Sequence, residues 1–120
     1  MEINTRIGGF RKEMLSYAYG LNLNKIALQL AMGENVAEKL CYRKSATAVE
    51  VWSDNSGILK HFKIPKDNRI KNLKVYFKKG DFYQAPPFSD KPIAQFFVVD
   101  TKGSLKLAKQ IIKNTVIELD

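Results

Sequence analysis

The stretch Ile93–Asp100, IAQFFVVD, decides how the rest of the chain is read. Both alternating sets of side chains are apolar: Ala94, Phe96 and Val98 on one, Ile93, Phe97 and Val99 on the other, with Gln95 the one interruption. A half-exposed strand would alternate polar and apolar residues, so this pattern predicts a strand covered on both faces. Immediately downstream, SLKLAKQIIKN (Ser104–Asn114) places Leu105, Ala108, Ile111 and Ile112 on one side of a helix, with Ser104 as its cap. TVIELD (Thr115–Asp120) then reads as a closing strand.

Working back toward the amino terminus, the period stays at two. TAVEVWS (Thr47–Ser53) and ILKHFKI (Ile58–Ile64) flank the turn cluster DNSG, which predicts a hairpin. NLKVYFK (Asn72–Lys78) and DFYQA (Asp81–Ala85) flank Lys79 and Gly80, which predicts a second. PPFSDKP is a stiff loop, because three prolines cannot all occupy a central sheet.

The first third is helical. FRKEMLSYAYG repeats Phe10, Met14, Tyr17 and Leu21 at helical spacing, and Gly20 is a stop. NLNKIALQLAMG predicts a second, short helix capped by Asn22 or Asn24, ended by Gly33 and so apolar that it is expected to be buried. Residues 35–44 read equally as helix or strand, and EINTRI at the start suits a short strand. Helices first, an antiparallel sheet of about four to six strands next and a C-terminal helix packed on it give an α+β fold. At 120 residues, the chain 1–120 is read as a single domain.

Composition narrows the function classes. Twenty Lys and Arg against twelve Asp and Glu leave a net charge of +8, which draws anions through the summed field. Cys41 is the only cysteine, which excludes an intrachain disulfide and favours a reducing, cytoplasmic setting. No apolar run is long enough to cross a bilayer. One histidine, His61 between lysines, and one cysteine cannot build a structural zinc site or an evident nucleophile–base pair. Gly-rich phosphate loops are absent from the sequence. No enzyme, no cofactor and no metal is expected from these residues.

Leu73–Phe88, LKVYFKKGDFYQAPPF, carries the candidate site. It holds five aromatic residues, three lysines and adjacent prolines. Alternation puts Leu73, Val75 and Phe77 on one face and Lys74, Tyr76 and Lys78 on the other, offering charge for phosphate and a ring for a base. Phe82, Tyr83 and Phe88 on the neighbouring turn and loop are further candidate clamps, and Arg69 lies just upstream. Arg11 begins a helix, where a cation opposes the helix dipole unless an anion docks there. These residues predict a non-enzymatic binding protein for a nucleotide-like small molecule or nucleic acid. The alternative is an oligomeric interaction or inhibitor protein, whose apolar helix and edge strands bind a partner chain or a second copy.

Overall fold

Phe96 and Phe97, neighbours in sequence, point to opposite sides of one strand, and the layers of the protein are stacked on that fact. The computed structural model describes residues 9–36 and 41–120. In chain order the elements are helices α1 (Arg11–Tyr19) and α2 (Leu23–Ala31), strands β1 (Ser45–Val51), β2 (Gly57–Lys63), β3 (Ile70–Val75), β4 (Phe82–Tyr83) and β5 (Ala94–Asp100), helix α3 (Ser104–Lys113) and strand β6 (Val116–Leu119). The six strands form two antiparallel sheets of three, ordered β1-β5-β3 and β4-β2-β6. The α+β class agrees with the sequence reading, but the strands divide into two sheets of three rather than one sheet of four to six.

β5 is the centre of the larger sheet and is sandwiched as its pattern predicts. Ala94, Phe96 and Val98 join Val49 and Val51 of β1 and Leu107, Ala108 and Ile111 of α3 in one buried cluster. On the opposite face Phe97 meets α1, with the rings of Phe10 and Tyr17 6.1 and 5.7 Å from its own. A second cluster, Leu59, Tyr83, Ala85 and Ile93, fills the smaller sheet. Phe62 and Ile117 pack against both clusters and join them.

The sequence reading needs correcting at several places. Neither predicted hairpin forms: β1 pairs with β5 rather than β2, and β3 pairs with β5 rather than β4. The turns after Val51 and Val75 carry the chain from one sheet to the other, and burial of the central strand β5 outweighs local pairing. Ser104 does not cap its helix; Gly103 occupies that position at φ 84°. The Ser104 hydroxyl is buried instead and shares hydrogen bonds with those of Ser45 and Thr47. The buried side of α3 is Ser104, Leu107, Ala108 and Ile111, leaving Leu105 and Ile112 exposed.

Helix α2 begins as expected, with the Asn22 side chain accepting from the Lys25 N–H, and Gly33 follows it at φ 77°. It buries no residue completely, and Leu28, Leu30 and Met32 are exposed, against the expectation of a buried helix. The strand expected at EINTRI and residues 37–40 of the ambiguous segment 35–44 lie outside the described residues; residues 35–36 and 41–44 are neither helix nor strand.

Replacing Phe96 by Ala is expected to cost about 3–5 kcal/mol through lost burial and the cavity left behind. Leu105→Ala, on the exposed side of α3, should stay within about 0.5 kcal/mol. Urea unfolding midpoints of the two variants check the assignment of faces.

Candidate functional site

Register places an open polar row on the α1 side of the larger sheet. Glu50 of β1, Gln95 of β5 and Lys74 of β3 are cross-strand partners, so their side chains leave the same face. One step along the sheet the equivalent row contains Phe97, which α1 covers. The far end of α1 lies over the start of β1, where Met14, Ala18 and Tyr19 share a hollow with Ser45 and Ala46. Among the described residues the helix thus runs away from Glu50, Gln95 and Lys74 and does not cover them.

Aromatic residues hold one edge and the centre of the row. The Trp52 indole Nε1 donates to Glu50 Oε2 at 3.3 Å, and the Tyr76 hydroxyl donates to Gln95 Oε1 at 2.9 Å. Trp52 is half-buried and Tyr76 is 39% exposed. The segment after Trp52 is clamped from below: the Tyr83 hydroxyl accepts from the Ser53 N–H and donates to the Ser53 carbonyl, both at 3.2 Å. Asn72, at φ 51°, sits in an irregularity of β3 between Lys71 and Lys74 that restores Lys74 to register with Gln95. Beyond that irregularity the expected alternation holds, and Lys74 and Tyr76 both meet Gln95.

The other sequence-predicted residues are dispersed. Lys74 and Tyr76 belong to the row, whereas Phe82 and Tyr83 belong to β4 in the second sheet. Tyr83 has no exposed surface; its ring packs edge-on against Phe77, 5.3 Å away, so it is a core residue and cannot stack on a ligand. Phe82 and Phe88 are 63% and 76% exposed, on β4 and on the proline loop. Lys78 donates its backbone N–H to Asp81 Oδ2, which closes the turn, and its side chain is exposed. Arg11 is exposed in the first turn of α1, whose cap Phe10 supplies no side-chain hydrogen bond.

Arg69 is already engaged. Its guanidinium meets both Asp67 carboxylate oxygens, at 2.9 and 2.8 Å, and lies 3.6 Å from Asp100. Side-chain and backbone hydrogen bonds from Arg69 hold the Asp67 carboxyl down from 3.8 to about 2. Asp67 also lines a depression of about 440 Å³ with Ile64, Pro65, Ile70 and Leu73.

Among the described residues no group of three or more His, Cys, Asp or Glu converges as a metal site, and no helix is long and apolar enough to cross a membrane. Sequence reasoning missed Glu50, Trp52 and Gln95. Glu50 and Trp52 were legible only as parts of a strand, and Gln95 only as the polar break in IAQFFVVD; their union depends on the β1–β5–β3 pairing.

No family model and no curated protein matches the sequence. Solved structures do match. The fold is shared with parts of enzymes. The chain is similar to phosphoribosylglycinamide synthetase from Anaerococcus prevotii at 24% identity and TM-score 0.66, covering 92% of this chain and 30% of that one. It is similar to L-amino acid ligase from Bacillus licheniformis at 13% identity and TM-score 0.78, covering 96% and 31%. The biotin carboxylase domain of Hydrogenobacter thermophilus 2-oxoglutarate carboxylase, solved as a dimer with MgADP, ADP and bicarbonate, matches at 16% identity and TM-score 0.65, covering 97% and 28%. The chain therefore spans about a third of the length of these proteins.

These likenesses correct the functional expectation. A stand-alone non-enzymatic binder, or an interaction or inhibitor protein, is overturned by a fold that recurs across nearly the whole chain inside a synthetase, a ligase and a carboxylase. The expectation of no enzymatic role falls with it. The inference from His61 and Cys41 failed because it looked for a complete catalytic set in what corresponds to a third of those enzymes.

Two measurements check this geometry. Asp67 should titrate near 2 by NMR, and Arg69→Ala should return its midpoint toward 3.8. Because that carboxyl is depressed in the fold, its stabilisation is present above about pH 4 and fades as pH falls toward 2. Tyr83→Phe removes both hydrogen bonds to Ser53 and should lower stability by about 1–3 kcal/mol in a urea melt.

Proposed function

We propose that the chain is an ATP-grasp-like portion of an enzyme that uses ATP to drive ligation or carboxylation. The fold shared over nearly the full chain with a synthetase, a ligase and a carboxylase carries this reading. A nucleotide is the small molecule it implies, and one of these similar structures was solved with MgADP. Cytoplasmic residence, where ATP is made and Cys41 stays reduced, belongs to the same reading.

The sequence contains a donor set suited to such a ligand. Glu2, Asn4 and Arg6 alternate with Ile3, Thr5 and Ile7. A carboxylate and an amide oxygen are the hard donors that magnesium takes, and a guanidinium suits phosphate oxygens bidentately. Glu2 and Asn4 would supply the oxygen donors for a magnesium ion, which would neutralise phosphate charge, and Arg6 would pair with a phosphate. The net charge of +8 adds a general attraction for polyphosphate. Arg11, Lys78, Phe82 and Phe88 remain candidates for contact with nucleotide or neighbouring chain, through their exposed charges and rings.

Calorimetric titration of the chain with MgADP tests the reading. Saturable, magnesium-dependent binding is expected, weakened about tenfold, roughly 1.4 kcal/mol, by Glu2→Gln but unchanged by Glu118→Gln on β6. Absence of saturable MgADP binding by the unaltered chain overturns it.

A further inference from the structure

The row Glu50–Gln95–Lys74 carries opposite charges at its two ends. An acid stands on one outer strand, a lysine on the other, and an amide lies between them on β5. Two strand spacings put the Glu50 and Lys74 Cα atoms roughly 10 Å apart. Neither forms an ion pair with a described residue. Glu50 is instead held by the Trp52 indole, and Gln95 by the Tyr76 hydroxyl through its carbonyl oxygen. Among the described residues nothing engages the Gln95 amide nitrogen, which is left as a donor in the middle of the row.

From this arrangement we infer that the row is a subsite for a small zwitterion, an amino acid or short peptide, that is a substrate of the enzyme proposed above; the inference rests on that reading. Glu50 accepts from the ammonium group of the ligand and Lys74 meets its carboxylate. The Gln95 amide nitrogen donates to a carboxylate or peptide carbonyl oxygen between them, and Trp52 and Tyr76 supply apolar walls. A polyphosphate fits the row poorly, because Glu50 repels it at one end. Holding Glu50 by an indole N–H, which carries no charge, leaves its full negative charge for an incoming cation. The pairing of β1 and β3 with a shared central strand sets the separation of the two charges, so the sheet itself measures the ligand.

Trp52 is the sole tryptophan, so its fluorescence reads the row directly. Titration with alanine and with alanyl-alanine is expected to give a saturable change for at least one of them. N-acetylation of that ligand, or amidation of its carboxyl group, should each weaken binding about tenfold or more. Glu50→Gln should abolish the preference for the free amine and Lys74→Met the preference for the free carboxylate, while Lys109→Met on α3 leaves both intact. Circular dichroism of each variant confirms folding. An absent response, or equal response to blocked and free ligands, overturns the inference. The MgADP titration separates the two proposals: MgADP binding without a zwitterion response removes the subsite and leaves the enzymatic reading, whereas the reverse outcome keeps the row and removes that reading.

Discussion

Burial of β5 on both faces is the constraint from which the remaining architecture follows. Phe96 and Phe97 cannot share a side of a strand, so each demands its own cover; α3 supplies one and α1 the other. Once β5 is central, β1 and β3 become its flanks, and the two segments that look locally like hairpin partners are drawn to different sheets. Hydrophobic burial on a two-sided strand outweighs a favourable turn sequence, because each fully buried aromatic side chain contributes about 1.5–3 kcal/mol and a turn much less.

The elements themselves were legible where periodicity was strong. IAQFFVVD announces its double burial, and Asn22 and Gly20 mark helix ends that the structure keeps. Pairing was not legible, since DNSG is as good a crossing between sheets as it is a hairpin turn. The site was half visible. Lys74 and Tyr76 could be placed on a common face by counting, but Tyr83 could not be told from an exposed ring until its partner Phe77 was known. Glu50 and Trp52 carried no signal alone, because their meaning comes from Gln95 lying between them and Lys74.

Charge illustrates why totals mislead. The surplus of +8 suggests a uniform appetite for phosphate, yet Arg69 is consumed by Asp67 and Asp100, and the open row on the larger sheet balances one acid against one base. The lysines of α3 lie on a plain solvent face, where long stems cover apolar edges. The similar enzymes are about three times as long as this chain.

The hydroxyl of Tyr83 has a mechanical consequence. Rooted in the smaller sheet, it grips the backbone of Ser53 just after the larger sheet ends. That one side chain ties the two sheets together beside the sole tryptophan, a pin between layers that otherwise meet through apolar packing.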